Sequence, residues 1–357
     1  MRVYLMFFEN TSNLGHESTH CFQDTATGLK AIIAIHSTAL GPAAGGCRMW
    51  PYASEADAVR DALRLSRGMT YKNAMAGLPM GGGKAVIMAA GKRAPNAELF
   101  RAFGRCVDSL GGRYITAEDV GVTVDDMRAV QEVTAYVAGL PGPGNAAGGD
   151  PSPWTADGVF LGMLAAVEHR LGTASLEGIR VAVQGVGKVG YDLSRQLHAA
   201  GARLIVSDVN ADNVARAEQA FAAQSVAPEE ILYQDVDVLA PCAMGAILDA
   251  HSIPRIKAAV IAGCANNQLA SGDDGARLSQ RNILYAPDYV INGGGIISVA
   301  LEYMRDKTID DTRERIAQIP ARLTEIFTTA AAQNKPTNVV ADSLAEQLVA
   351  AGEKNQH

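Results

Sequence analysis

The chain has 357 residues, enough for two domains of ordinary size, and 48% of them are hydrophobic, as in a globular protein. Its net charge of −7 argues against a nucleic-acid-binding surface, because phosphate contacts need clustered lysine and arginine. No apolar run approaches the roughly 20 residues of a membrane-spanning helix, and Glu9 interrupts the N-terminal stretch too early for a signal peptide. We therefore expect a cytoplasmic protein without nucleic-acid or membrane partners.

The cysteines and histidines show none of the spacings that bind metals. The five cysteines lie far apart and form no C-x-x-C pair, so neither a zinc site nor a disulfide framework is expected. The seven histidines form no H-x-x-x-H pair. We predict buried thiols in a reducing compartment and no metal site.

Helices and strands alternate in the N-terminal part of the chain. Gly28–Thr38 is rich in β-branched residues and predicts a strand. Apolar residues recur at helical spacing from Ser54 to Met75, and a second helix is expected from Asn96 to Leu110. The segments KAVIMA and RYITA predict a strand after each of these helices. This alternation favours an α/β layer architecture.

A run rich in glycine and proline, Pro141–Pro153, interrupts this pattern. Such a run does not fit inside a helix or a central strand, so it predicts a linker or hinge. Beyond it, short apolar strands alternate strictly with helices; the strands are GIRVAVQGVG, ARLIVSDVN, DVDVLAPCA, AAVIAGCA and ILYAPDYVI. Continuous apolar strands of this kind indicate a parallel sheet covered on both faces. The segment Thr308–Val349 predicts helices.

The first of these later strands ends in the glycine fingerprint of a Rossmann fold. Gly185, Gly187 and Gly190 fit G-x-G-x-x-G; the motif follows a strand, opens a helix and precedes Asp208 at the end of the next strand. Such glycines permit a tight turn, the approach of a pyrophosphate and close helix–strand packing. Asp208 favours NAD over NADP, because a carboxylate binds a ribose 2′-hydroxyl and repels a 2′-phosphate. A glycine-rich turn without a ligand is the alternative, and Arg203 is the nearest residue that would accept NADP.

The stretch GMTYKNAMAGLPMGGGK raises the question of a second phosphate site. A P-loop requires G-x-x-x-x-G-K-[ST], but Leu78 stands where its first glycine belongs and Ala85 where its hydroxyl belongs. Nucleoside triphosphate binding is therefore not expected. Lys72 and Lys84 are either surface lysines or functional amines. At the start of an apolar strand Lys84 is partly desolvated, which favours the neutral amine that a general base needs.

Ordered motifs from about Gly28 to Ile297 resemble the Glu/Leu/Phe/Val amino-acid dehydrogenase family, the leucine and phenylalanine enzymes above all. The segments on which this resemblance rests are LKAIIAIHSTALGPAAGGCRM, RLSRGMTYKNA, GGGKAVI, RYITAEDVG, DPSPWTADGVFLGM, VAVQGVGKVG, APCAMGAIL, AGCANNQL and YAPDYVINGGG. Valine and tryptophan dehydrogenases are similar, and glutamate dehydrogenase is more distant. The resemblance implies reversible oxidative deamination, in which an L-amino acid, NAD⁺ and water give a 2-oxo acid, ammonium and NADH.

The resemblance also implies two domains with the active site in the cleft between them. Residues 1–148 would form an α/β substrate-binding and oligomerisation domain, and residues 149–324 the Rossmann NAD-binding domain. C-terminal helices from about residue 325 to 357 would pack back on the first domain. The hinge would allow the cleft to close, and a homo-oligomer is expected.

The resemblance assigns the chemistry to three residues. Lys72 would hold the substrate carboxylate as a point charge, and Lys84 would be the catalytic lysine that activates the attacking water. Asp119 would relay protons to and from the amine. Gly45 and Gly46 would line the carboxylate end of the pocket, where only backbone can approach. The glycines before Lys84 would clear room for the substrate.

The same resemblance assigns the coenzyme contacts beyond the glycine fingerprint. Thr155 would bind the nicotinamide carboxamide, and Ala243 would line the coenzyme site. Asn266 would orient both the substrate and the nicotinamide ribose, with Asn267 as the adjacent alternative. Trp154 stands where the family often has valine and Gly293 where it usually has alanine, so the nicotinamide pocket could differ here.

Four residues would line the pocket for the substrate side chain: Ala44, Ala117, Ile296 and Val299. Glutamate dehydrogenases carry a lysine in the place of Ala44, and an acidic side chain buried without a partner costs on the order of several kcal/mol. The substrate is therefore expected to be apolar. The small Ala44 suits phenylalanine, whereas the bulky Ile296 and Val299 favour leucine, valine or isoleucine, and one methylene separates such substrates by only about 1–3 kcal/mol.

Three alternatives remain beside a leucine- or valine-preferring enzyme. An aromatic-preferring phenylalanine or tryptophan dehydrogenase would share every motif. A non-catalytic NAD-binding regulator would keep the fold, but it would have no use for Lys72, Lys84 and Asp119. A glutamate dehydrogenase using NADP is disfavoured by Ala44 and Asp208.

Overall fold

The computed structural model describes residues 15–89, 96–140, 150–243, 245–304 and 307–355. The chain forms two compact units. The first comprises the described residues of Met1–Gly149, Val299–Ile309 and Ala345–His357, and the second those of Asp150–Ser298 and Asp310–Leu344. Most of the hinge predicted at Pro141–Pro153, residues 141–149, lies outside the described residues. The N-terminal stretch interpreted above also lies outside them.

The described residues form the following strands and helices. The strands are β1 (Ser18–Asp24), β2 (Leu29–Ser37), β3 (Ala43–Trp50), β4 (Gly81–Met88), β5 (Tyr114–Glu118), β6 (Arg180–Gln184), β7 (Arg203–Ser207), β8 (Gln224–Ser225), β9 (Val238–Pro241), β10 (Val260–Ile261) and β11 (Leu284–Tyr285). The helices are α1 (Glu55–Met75), α2 (Ala97–Asp108), α3 (Val124–Gln131), α4 (Ser152–Leu171), α5 (Lys188–Ala199), α6 (Ala211–Phe221), α7 (Asp273–Gln280), α8 (Asp288–Ile291), α9 (Gly294–Tyr303), α10 (Ile309–Ile316), α11 (Ile319–Gln333) and α12 (Thr337–Asn355).

The first unit contains a five-stranded mixed sheet in the order β1-β2-β4-β3-β5. β2 pairs antiparallel with β1 and β4, whereas β3 pairs parallel with β4 and β5. The predicted strands and both predicted helices are confirmed. The sequence did not predict β3, because its AAGG start resembles a turn; pairing on both sides holds it in the sheet.

Both faces of this sheet are covered, which explains why β2 is apolar without alternation. Ile33 and Ile35 pack on one face with Phe100 and Phe103 of α2. Ile32 and Ala34 pack on the other face with the apolar side of α1. Side chains of a strand alternate between faces, so Lys84 of β4 lies on the same face as Val86, which packs with α1.

The second unit contains a six-stranded sheet in the order β11-β10-β9-β6-β7-β8, and every pair in it is parallel. This is the strand order of a dinucleotide-binding fold, with β6 as its first strand. The predicted parallel α/β arrangement is confirmed. One strand assignment was wrong: in ILYAPDYVI only Leu284–Tyr285 is a strand, and Asp288–Ile291 is a short helix. Pro287, which cannot donate to a ladder, ends the strand there.

Later parts of the chain complete the first unit. Glu302 of α9 accepts hydrogen bonds from the backbone N–H groups of Gly139 (3.0 Å) and Leu140 (2.8 Å). Glu346 in the middle of α12 accepts a 2.6 Å hydrogen bond from the Tyr71 hydroxyl of α1. The helices predicted after Thr308 are confirmed by α10, α11 and α12. No helix among the described residues is both long and apolar enough to cross a membrane.

Candidate active site

A buried lysine and a carboxylate form the centre of the candidate site in the first unit. Lys84 lies in β4, and Asp119 follows directly after β5. The Lys84 Nζ atom lies 2.6 Å from Oδ2 of Asp119, and only 7% of the Lys84 side chain is exposed. The structure thus brings together two of the three residues to which the resemblance assigns the chemistry. A buried amine in contact with one carboxylate is suited to proton transfer.

The environment of Asp119 favours its charged form. Burial raises the pKa of this carboxyl, but the charge and hydrogen bond of Lys84 and the charge of Arg48 outweigh burial and hold the pKa below its ordinary value. Asp119 is therefore an anion at neutral pH.

Arg48 is a member of this cluster that the sequence motifs did not identify. Its Nε atom lies 3.2 Å from Oδ2 of Asp119, the oxygen that Lys84 also contacts. Its Nη1 atom lies 3.0 Å from Oδ2 of Asp61 on α1, and the Tyr52 hydroxyl donates a 2.7 Å hydrogen bond to the same oxygen. No motif links positions so far apart in sequence, so only the pairing of β3 with its neighbours and the packing of α1 reveal the cluster.

Gly46 lets β3 approach Asp119 closely. A β-carbon added at Gly46 would lie 2.9 Å from Cβ of Asp119 and 2.7 Å from the backbone oxygen of Glu118, closer than such atoms approach one another. A β-carbon at Gly45 would overlap the backbone oxygen of Gly83. Both glycines are therefore required by close backbone packing, whatever else they contact.

The sequence led us to expect that the three glycines before Lys84 clear room for a substrate. The structure shows that they do not. Added β-carbons at Gly81 and Gly82 would overlap the backbone oxygen of Ser37 and the backbone nitrogen of Thr70. One at Gly83 would lie 2.7 Å from the Tyr114 ring. Protein atoms fill the space, because these glycines let β4 lie directly against its neighbours.

Lys72 lies in the last turn of α1, where the helix meets the glycine-rich strands. The next residue, Asn73, donates a 2.6 Å hydrogen bond from Nδ2 to the backbone oxygen of Gly81. A β-carbon at Gly45 would lie 3.1 Å from Cγ of Met69. Residues three apart lie on one side of a helix, so Lys72 projects on the side of α1 that carries Met69.

The apolar residues predicted for the substrate pocket lie on β3, β5 and α9. Ala44 is 5% exposed. Ala117 is half-buried and pairs with Gly46 across the β3–β5 ladder. Ile296 and Val299 are half-buried and three residues apart on α9, so they share one side of that helix.

In the second unit, the three fingerprint glycines differ in their surroundings. Gly185 has a φ of +90°, a conformation that favours glycine, and its β-carbon would lie 2.6 Å from Cβ of Ala243. A β-carbon at Gly190 would overlap the backbone oxygen of Gly185. At Gly187, the N-cap of α5, it would meet no atom within 4 Å. Gly187 alone of the three thus offers an open backbone surface beside a helix N-terminus, which suits a pyrophosphate.

Asp208 lies at the carboxyl end of β7, beside the glycine loop. Its Oδ2 atom accepts a 2.9 Å hydrogen bond from the backbone N–H of Val186, and its Oδ1 atom accepts one of 2.8 Å from Asn210. Its carboxylate therefore bridges the glycine loop and the segment after β7. A ribose bound beside that loop would reach the same carboxylate.

The remaining coenzyme candidates are held by neighbours within the second unit. The Thr155 hydroxyl of α4 donates a 2.9 Å hydrogen bond to the backbone oxygen of Pro151. Asn266 is exposed, and its Oδ1 atom accepts a 2.8 Å hydrogen bond from Nδ2 of Asn292. Asn267 has a φ of +52°. Asn292 orients Asn266; it lies in the motif YAPDYVINGGG, but no function was predicted for it from the sequence.

Two family models and several known proteins match this chain. Residues 16–136 match the family model "Glu/Leu/Phe/Val dehydrogenase, dimerisation domain", and residues 207–354 match "Glutamate/Leucine/Phenylalanine/Valine dehydrogenase". The chain is 50% identical to leucine dehydrogenase of Geobacillus stearothermophilus, over 96% of this chain and 93% of that one. It is 48% identical to valine dehydrogenase of Streptomyces virginiae, over 93% of each chain.

Solved structures are also similar to this chain over nearly their whole length. The L-tryptophan dehydrogenase of Nostoc punctiforme has a TM-score of 0.86 and 45% identity, over 97% of this chain and 99% of that chain. The chain belongs to the Glu/Leu/Phe/Val dehydrogenase family. It is an amino-acid dehydrogenase, an oxidoreductase acting on CH–NH₂ groups.

Proposed function

We propose that this enzyme catalyses the NAD-dependent, reversible oxidative deamination of an apolar L-amino acid, with leucine and valine preferred. The observation that carries the proposal is the buried contact of 2.6 Å between Lys84 and Asp119, in a chain of this family. The reaction takes an L-amino acid, NAD⁺ and water to a 2-oxo acid, ammonium, NADH and one proton. The relatives named leucine and valine dehydrogenase support the substrate class.

The residues of the first unit supply the proton chemistry. Lys72 binds the substrate carboxylate as a point charge. The Lys84 amine accepts a proton from the water that attacks the substrate carbon, and Asp119 passes protons to and from the departing amine. The backbone of Gly45 and Gly46 lies against the carboxylate end of the substrate. Such acid–base groups contribute about 10²–10⁴-fold to the rate.

The residues of the second unit hold the coenzyme. The open backbone at Gly187 and the N-terminus of α5 receive the pyrophosphate, while Gly185, Gly190 and Ala243 shape the loop. Asp208 binds the adenosine ribose and disfavours a 2′-phosphate. Thr155 and Asn266 contact the nicotinamide end. When bound, NAD⁺ supplies the acceptor for the hydride that leaves the substrate carbon.

Ala44, Ala117, Ile296 and Val299 define the substrate side chain as apolar. None of the four carries a charge, so a γ-carboxylate would lose its hydration without gaining a partner from them. The tryptophan dehydrogenase relatives favour a second candidate, an enzyme that prefers aromatic substrates. The family model matching residues 16–136 is described as a dimerisation domain, and we propose that the protein is a homo-oligomer.

The test is a panel of 2-oxo acids with NADH or NADPH, in the presence and absence of ammonium. We expect NADH oxidation with 4-methyl-2-oxopentanoate and 3-methyl-2-oxobutanoate, only when ammonium is present and much slower with NADPH. A preference for phenylpyruvate or indolepyruvate would select the aromatic alternative. If no 2-oxo acid supports ammonium-dependent turnover, the proposed function is wrong. Light scattering of the purified protein tests its self-association.

A further inference from the structure

Arg48 joins the Lys84–Asp119 pair to helix α1. Its guanidinium contacts Asp119 through Nε and Asp61 through Nη1, at 3.2 and 3.0 Å. The side chains of all three residues are 16–23% exposed, so solvent screens their charges only in part. A guanidinium keeps its proton at every pH at which the protein is folded, and its planar fork fixes the carboxylates that it contacts.

Charged side chains of opposite sign lie next to the Lys84–Asp119 pair. Arg48 contacts both Asp119 and Asp61, and Arg64 lies 3.2 Å from Asp61. Replacing Arg48 removes a positive charge next to this pair, and replacing Asp61 removes a negative one.

We propose that Arg48 is a positioning residue for the dehydrogenase reaction: it fixes the Asp119 carboxylate in contact with Lys84 and places a positive charge beside this pair. The inference rests on the proposed function of Lys84 as a proton acceptor. Arg48 and Lys84 share the same oxygen of Asp119, so the guanidinium can hold that oxygen while the amine gives up or accepts its proton.

Other ionisable groups around the cluster do not change charge in a neutral to mildly alkaline assay. Burial raises the pKa of the Cys47 thiol, the Tyr52 phenol and the Tyr114 phenol, so these groups stay neutral. Asp126 lies in the capping box of α3, where it accepts hydrogen bonds from the backbone N–H and the hydroxyl of Thr123. Two further charged side chains, Lys72 of α1 and Glu118 of β5, are the same in every variant below.

The test compares two substitutions whose expected effects on the pH profile have opposite signs. Arg48→Gln removes a positive charge, so the pH at which kcat/KM for deamination reaches half its maximum should rise by about one unit. Asp61→Asn removes a negative charge, so the same midpoint should fall. The substrate is identical in all assays, so a difference between variants belongs to the enzyme. General loss of stability cannot shift one midpoint up and the other down.

Two more variants separate charge from position. Arg48→Lys keeps the positive charge but loses the planar guanidinium that contacts two carboxylates. We therefore expect the wild-type pH midpoint, with kcat lowered about tenfold. Arg60→Gln is the matched control: Arg60 lies on the same helix and pairs with the exposed Asp57 at 2.9 Å, so neither the midpoint nor kcat should change. Thermal unfolding of each variant checks folding.

The proposal is overturned if wild-type enzyme turns over but Arg48→Gln leaves the midpoint unmoved, or if Asp61→Asn moves it upward. If Arg48→Gln does not fold, the direction of the Asp61→Asn shift and the unshifted midpoint of Arg48→Lys decide the question. Failure of the proposed function is a different result, in which the wild-type enzyme itself shows no ammonium-dependent turnover.

Discussion

Two glycine-rich segments, each with a lysine, serve opposite physical purposes in this protein. In GGGK of β4 the glycines are packed against protein atoms and the lysine side chain is 7% exposed. In GVGKVG at the start of α5 the middle glycine faces open space and Lys188 is 79% exposed. Glycine in the first segment lets the protein bury a cation, and in the second it leaves backbone N–H groups accessible. A glycine pattern therefore has no fixed function until its neighbours are known.

The largest expected effect comes from the buried lysine. Lys84→Ala should lower kcat for deamination by at least about 10²–10⁴-fold, because the reaction loses its proton acceptor. Initial rates of NADH formation at saturating substrate measure this effect. Coenzyme affinity, measured by quenching of protein fluorescence, should not change. Full activity in this variant would remove Lys84 from the mechanism.

The packed glycines should respond to substitution as core residues do. A β-carbon in Gly82→Ala would overlap the backbone of Thr70, and one in Gly190→Ala the backbone of Gly185. Each should destabilise its unit by about 1–3 kcal/mol, as overpacking does. Calorimetry should show a lower Tm in both variants. An unchanged Tm would mean that the strands are not packed as closely as described.

The open glycine should behave in the opposite way. Gly187→Ala adds a methyl group that meets no protein atom within 4 Å, and its φ of −67° suits alanine. We expect wild-type thermal stability but an approximately tenfold higher KM for NAD⁺, because the methyl group blocks the approach of the pyrophosphate. Steady-state kinetics with varied NAD⁺ give the result. A loss of stability with an unchanged KM would contradict the assignment.

The smallest effect is expected at the exposed lysine. Lys188 pairs with Asp150 at 3.2 Å, but both side chains are at least half exposed, so Lys188→Ala should change stability by less than about 0.5 kcal/mol. Turnover should stay within about twofold of wild type. The same truncation at Lys84 and Lys188 therefore compares a buried lysine with an exposed one. A large loss of turnover at Lys188 would weaken the contrast between the two segments.

Local sequence patterns predicted most of the fold, because most helices and strands form where the local sequence favours them. The parallel sheet of the second unit was predicted from apolar strands that alternate with helices, and the glycine fingerprint lies where a coenzyme would be expected. β3 and the helix at Asp288–Ile291 departed from expectation. The AAGG of β3 resembles a turn, but pairing with β4 and β5 holds it in the sheet. The apolar residues around Pro287 suggest a longer strand, but the proline ends it and a short helix follows.

The candidate site was less accessible to sequence reasoning than the fold. Family motifs identified Lys84 and Asp119, which the structure brings into contact. Arg48 and Asn292 act on them or on Asn266 through contacts between residues distant in sequence. Both lie in motifs that carry the family resemblance, but a motif does not show which distant residues they contact. The glycines before Lys84 were assigned to the substrate because a sequence does not show which neighbours fill their space.

The discontinuity of the first unit has a consequence for biosynthesis. The sheet of this unit is complete by Glu118. The unit also includes the described residues of Ala345–His357, where Glu346 accepts the hydrogen bond from Tyr71. A ribosome adds about 5–20 residues per second, so the roughly 200 residues in between delay that contact by roughly 10–40 s. During this interval the emerging chain carries the Lys84 strand without its final helix. The N-terminal unit is translated first, but it is the last to be completed.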